Sequence, residues 1–100
     1  MSITKTEIET ALPAISDFEM QEATVQGAKI GKKDNMLIIV SPHRYKLFTT
    51  GTDAVKVVEG NGFFKWKRGE TKFGAGDCFE IKETGEYEIN GNGTYIVVRG

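Results

Sequence analysis

The chain of 100 residues has one histidine, one cysteine, one tryptophan and two prolines. A lone cysteine, Cys78, has no partner for an internal disulfide or a Cys-x-x-Cys redox or zinc motif, and it reads as a small buried strand residue. A lone histidine, His43, has no second imidazole with which to build a metal shell and no visible third group to orient it in a nucleophilic triad. An excess of one charge is missing too: 13 Lys and Arg stand against 14 Asp and Glu, without a long block or stripe. That balance argues against nucleic acid and anionic membrane as partners. No stretch is long and apolar enough to span a membrane, and the start MSITKTEIETALPAI lacks the basic and apolar regions of a secretory leader, so a cytoplasmic location is expected.

What is present is strand and turn. A flanking segment, 1–16, precedes a single domain expected over 17–100; within the flank, Ile8 and Leu12 lie four apart with Glu7 and Glu9 between, which predicts a short amphipathic helix from Thr4 to Leu12, ending before Pro13. From Asp17 onward, short apolar runs alternate with Gly, Asn and Pro. Strands are expected at Phe18–Val25, Lys29–Ile30, Met36–Val40, Tyr45–Thr49, Val55–Val58, Phe63–Lys67, Phe79–Ile81, Tyr87–Ile89 and Thr94–Arg99, giving an all-β sandwich or barrel. The pairs Asn61-Gly62, Asn90-Gly91 and Asn92-Gly93 suit the positive φ angles of tight hairpins. Met36 to Val40 is apolar at every position, and Tyr95 to Val98 nearly so. Such strands need cover on both faces; the N-terminal segment with Ile8, Leu12 and Ile15 could cover one but not two widely separated ones, and a two-fold homodimer, with the outward member of Ile38 and Ile39 at the contact, would supply the rest.

Two stretches carry a family resemblance. Val57-Val58-Glu59-Gly60-Asn61-Gly62, followed by Gly76-Asp77-Cys78-Phe79-Glu80-Ile81, resembles the cupin pattern, in which a strand ending in Glu-Gly turns back and a Gly-Asp corner opens the next strand. Gly85-Glu86-Tyr87-Glu88-Ile89 with Gly91, together with Phe18 to Gly27, looks like the C-terminal cupin domain of type I mannose-6-phosphate isomerases, here without the catalytic domain. The resemblance implies a cupin-like jelly-roll barrel, or double-stranded β-helix, with the short N-terminal helix as its flank. It also implies where a metal would sit. Setting the first cupin motif on Gly60 puts its acidic slot at Asp53 and its histidine slots at Leu47 and Thr49, or at Lys46 and Phe48 with the spacing one longer. Setting the second on Gly76 puts the proline slot at Lys82 and the histidine slot at Tyr87. Only Asp53 keeps a ligating side chain, so no metal and no other cofactor is expected.

The functional expectation is a non-catalytic binding or assembly module for a sugar or other small polar ligand, with no catalytic residues. Candidate ligand contacts are His43, Tyr45, Trp66 and Tyr87, with Arg44 or Lys65 available to hold an anion. The alternative is a sugar isomerase or epimerase using Tyr87 and His43 as its acid-base pair, which requires both to face one cavity. A third reading is a detached subunit completing a separately encoded catalytic chain. Phe63-Phe64-Lys65-Trp66-Lys67-Arg68 interleaves aromatics with cations, as a surface for stacking single-stranded nucleic acid would. A half-buried hairpin with one aromatic face explains the same pattern more simply.

Overall fold

Strands fill most of the computed structural model, which describes residues 2–7 and 12–100. In chain order they are β1 (Ser2–Thr6), β2 (Glu19–Met20), β3 (Lys29–Lys33), β4 (Met36–Ser41), β5 (Arg44–Thr49), β6 (Thr52–Gly60), β7 (Gly62–Trp66), β8 (Gly69–Phe73), β9 (Cys78–Lys82), β10 (Gly85–Asn90) and β11 (Gly93–Arg99). They form a seven-stranded sheet, β1-β9-β6-β11-β4-β3-β2, packed on a four-stranded sheet, β5-β10-β7-β8. No ladder joins the two sheets, so the expected jelly roll is an open sandwich and the barrel is not closed.

The N-terminal helix is the second correction. Ser2 to Thr6 form an edge strand paired with β9 from Ser2↔Lys82 to Thr6↔Cys78, while positions 8–11 of the expected helix lie outside the described residues. Ile3 is buried opposite Ile81 while Thr4, Lys5 and Thr6 are exposed, so of its described side chains this edge strand contributes a single one to the core. The helical turn found among the described residues is a 3-10 turn at Ile15–Asp17, whose Asp17 carboxylate accepts the Ala14 N–H at 3.1 Å. Phe18–Val25 shrinks to the two residues of β2, and β8, with its inward Phe73, was not anticipated.

Inward residues at every second position make the core. On β5, β10 and β7 these are Tyr45 and Leu47, Tyr87 and Ile89, and Phe64; β6 and β11 answer with Val55, Val57, Tyr95 and Val97. Phe64 stands at the centre of an aromatic cluster, 4.8 Å from the rings of both Phe73 and Phe79, and Phe73 meets Tyr95 edge-on at 5.5 Å. Phe63-Phe64-Lys65-Trp66 therefore alternates out and in: Phe64 is fully buried and Trp66 packs partly on the core, while Phe63 and Lys65 face water.

A separate small cluster explains the all-apolar strands. β4 and β11 are direct neighbours, with Ile38 opposite Ile96, and the chain before β2 lays Phe18 over both. Leu12 joins the same cluster, so one short strap covers the second face of two strands at once. Ile38 and Ile39 are both 0% exposed, Ile39 facing the sandwich interior and Ile38 the strap, so neither is the outward residue of a dimer contact. Ile38→Lys is therefore expected to unfold the domain, because it buries an unpaired ammonium; a folded, cooperatively melting variant would contradict the placement of the strap.

The Asn-Gly pairs do not build hairpins. Connections cross between the sheets at one end after β4, β6, β8 and β10, and at the other end after β5 and β9. Asn61-Gly62 and Asn90-Gly91-Asn92-Gly93 are two crossings lying backbone against backbone, where a Cβ on Gly62 would strike the Asn90 carbonyl and one on Gly93 the Glu59 carbonyl. Of the three glycines in these pairs only Gly91 has positive φ. Close approach, more than turn geometry, requires glycine here. The expected Gly76-Asp77 corner is present: Gly76 has φ 90°, and the Asp77 carboxylate accepts the Gly74 N–H at 2.9 Å. That hydrogen bond, with Lys5 3.1 Å away, holds the Asp77 carboxyl below the usual carboxylate range.

Candidate functional site

At the end of the sandwich crossed only by the β5–β6 and β9–β10 connections lies a polar cluster built from both sheets. Asp53, the second residue of β6, points inward and is 1% exposed. Its Oδ2 accepts the Tyr87 hydroxyl at 2.9 Å, and its Oδ1 accepts Thr49 Oγ1 at 3.3 Å. Arg99 Nε lies 3.4 Å from the same Oδ1, and a second guanidinium nitrogen donates to the Phe48 carbonyl. Tyr95, Val97 and Arg99 share the inward face of β11 by the period of two, which brings this arginine back over the interior. Asn35, in the β3–β4 turn, fixes the backbone beneath it: its N–H₂ donates to the Arg99 carbonyl at 2.8 Å and its own carbonyl accepts the Arg99 N–H at 2.9 Å.

Three of the positions aligned with metal slots, Asp53, Thr49 and Tyr87, thus converge, and Leu47 sits opposite Tyr87 in the β5–β10 ladder. They do not fit a metal. A first-row ion needs three or four nitrogen, sulfur or carboxylate ligands, whereas here one carboxylate is already engaged on both oxygens, and a guanidinium presents a competing positive charge. Among the described residues no three His, Cys, Asp or Glu side chains come together as a ligand set.

Burial, then the adjacent carboxylate and the hydrogen bond to it, push the Tyr87 phenol well above its ordinary range, with Arg99 opposing. Tyr95, whose hydroxyl donates to the Gly91 carbonyl at 2.8 Å, is pushed up to about 12 by burial. An unfolded tyrosine ionises near about pH 10, so above that pH the unfolded chain binds fewer protons than the folded one and stability falls as pH rises. The expected result is alkaline unfolding in which phenolate absorbance and loss of β-sheet dichroism move together. Full phenolate absorbance in a folded chain would contradict the burial of these rings.

The four candidate ligand contacts do not gather into one pocket. Tyr45 and Tyr87 are core residues, 6% and 0% exposed. His43 is exposed at the opposite, glycine-crossing end; its Nδ1 accepts the Arg44 N–H at 2.7 Å and its carbonyl the Gly91 N–H at 2.6 Å. It precedes Leu47, the partner of Tyr87, by four residues, about 13 Å of extended chain. His43 and Tyr87 therefore share no cavity, and the acid-base pair of the isomerase reading is not assembled. Of the four, Trp66 lines a surface groove, of about 500 Å³, with Lys65, Lys67, Thr84, Glu86 and Glu88. Its Nε1 is buried with no hydrogen-bond acceptor among the described residues. On the adjoining sheet face, Lys46 lies 3.6 Å from the exposed Glu86 and 3.7 Å from the half-buried Glu88, surface pairs that contribute little stability.

Sequence reasoning identified Asp53 and Tyr87 but missed Arg99. The signal was its parity with Tyr95 and Val97.

No protein-family model matches the chain, and no curated protein matches it. Solved structures do. The mannose 6-phosphate isomerase of Bacillus subtilis is similar over 91% of this chain and 30% of its own, with 15% identity and a TM-score of 0.63. A protein of unknown function from Vibrio parahaemolyticus, in a targeted domain of residues 2–94, is similar over 80% of this chain and 95% of its own, at 16% identity and a TM-score of 0.61. A phosphomannose isomerase variant from Salmonella typhimurium is similar over 83% of this chain and 22% of its own, at 10% identity and a TM-score of 0.62. The chain thus spans under a third of either isomerase. Over the matched length it has a cupin-like β fold resembling that part of those enzymes.

Proposed function

We propose that this chain is a non-catalytic cupin-like module that binds a sugar or other small polar ligand at its surface. The observation that carries the reading is the filling of the interior: Asp53 is engaged by Tyr87, Thr49 and Arg99 of its own chain, and an aromatic cluster occupies the space beyond. The pair His43 and Tyr87, on which the isomerase reading depends, does not face one cavity. The Trp66 groove supplies what a polyol needs, an aromatic side chain with carboxylates to accept hydroxyl protons and ammonium groups to donate.

Trp66 is the chain's single tryptophan, so its emission reports on the groove directly. Titration with mannose 6-phosphate and with neutral sugars is expected to give a saturable change that the double variant Glu86→Ala, Glu88→Ala abolishes. Unchanged emission at millimolar sugar would remove the ligand proposal. The chain alone is expected not to interconvert mannose 6-phosphate and fructose 6-phosphate.

A second reading is a detached subunit; what suggests it is the likeness of this chain's fold to part of the Bacillus subtilis isomerase. It predicts turnover only when a separately encoded catalytic chain is added. For self-assembly, exposed apolar residues on the larger sheet include Met20 (44%) and Val40 (37%), and we propose a homodimer contact there. Light scattering at micromolar concentration tests this: a dimer abolished by Val40→Lys supports it, and a monomeric wild type contradicts it.

A further inference from the structure

The two ends of the sandwich are held shut by different means. At one end four connections cross between the sheets, and the glycine-lined backbones of two of them are in contact. At the other end two connections cross, held to each other by the Glu83 N–H on the Gly51 carbonyl at 2.8 Å. The strand ends between β11 and β5 have no covalent or ladder link there. What spans them is side chain: Arg99 and Asp53 belong to the larger sheet, and Phe48, Thr49 and Tyr87 to the smaller one.

We infer that Arg99 is a latch that closes this mouth of the sandwich. Its guanidinium joins the Asp53 carboxylate of its own sheet to the Phe48 carbonyl of the other, and Asn35 holds the latch's backbone in place. Arg99 is itself 34% exposed, so solvent reaches the latch while the carboxylate beneath is 1% exposed. A fork of N–H donors is needed for this, since one point charge cannot serve both acceptors in the same geometry. Leu37 and Trp66 pack against the core at its edge, and release of the latch admits water toward Trp66 and Tyr87. The mouth is then a low-stability unit that opens without disturbing the glycine crossings.

The test is amide hydrogen exchange on the wild type and on Arg99→Ala. The latch predicts that amides of Phe48 to Asp53 and Thr84 to Tyr87 exchange faster by about tenfold or more in the variant, with those of Gly60 to Gly62 and Gly91 to Gly93 unchanged. Acrylamide quenching of Trp66 should rise in parallel. Millimolar methylguanidine should restore both readouts in Arg99→Ala but not in the double variant Asp53→Asn, Arg99→Ala. Equal acceleration at both ends, no acceleration, or no rescue would overturn the latch. If Arg99→Ala does not fold, Arg99→Lys gives the same readouts: faster exchange confined to the mouth supports the latch, and wild-type exchange overturns it.

Discussion

Asp53→Ala is expected to cost about 3–5 kcal/mol of folding stability, the usual penalty for breaking a buried charge pair from one side. The substitution leaves the Tyr87 hydroxyl, fully buried, without its acceptor and frees the Arg99 guanidinium from its counterion. For a domain of this size each kcal/mol lowers the melting temperature by about 4–8 °C, so the variant sits near or beyond the limit of folding. Tyr87→Phe tests the same cluster more gently. It removes one hydrogen bond to a charged group and is expected to cost about 1.5–3 kcal/mol while keeping the ring in the core. Chemical denaturation of the two variants checks the order. A near-neutral Asp53→Ala would mean that the carboxylate is not held inside the sandwich.

Gly62→Ala should be at least as damaging, for a reason that has nothing to do with hydrophobic burial. Its Cβ would overlap the Asn90 carbonyl, with the Asn90 carbonyl carbon at 2.9 Å and Gly91 Cα at 3.1 Å. All three atoms are backbone, so no rotamer change relieves the contact, and the crossing must separate. A loss of more than about 3 kcal/mol is expected, above the usual range for overpacking by one methyl group. Gly27→Ala is the control: it also places an alanine at positive φ (79°), but in open space with no atom within 4 Å. There the cost should be only about 1–2 kcal/mol of backbone strain. Equal melting temperatures for the two variants would show that the crossing backbones are not in contact.

The strand-and-turn grammar carried the fold class well, because inward positions such as Tyr45, Leu47, Tyr87 and Ile89 obey a period of two wherever one face is buried. It misplaced the N-terminal strand, since Ser2 to Thr6 holds a single inward apolar residue, Ile3, and the helical period was read from Ile8 and Leu12, further along the chain. It missed β8 because Gly-Glu-Thr-Lys looks like loop until Phe73 closes it. Cover for β4 and β11 was misassigned to a second chain for a different reason: adjacency is a property of topology, which local pattern does not contain. The same limit hid Arg99. An arginine one residue from the chain end reads as a solvated charge, and only the β6–β11 register, Asp53 opposite Arg99, brings it over a buried carboxylate. Asp53 and Tyr87 were legible because the cupin resemblance gave each a slot, and their convergence through Tyr87 Oη follows from those slots lying on facing sheets.

A guanidinium of this chain, and no metal ion, answers the buried carboxylate. A crystal grown in millimolar zinc and measured at the zinc absorption edge tests it most directly. Planar guanidinium density is expected beside Asp53 Oδ1, with no anomalous peak within bonding distance of that carboxylate. An anomalous peak between Asp53 and Tyr87, with Arg99 swung out to solvent, would contradict it.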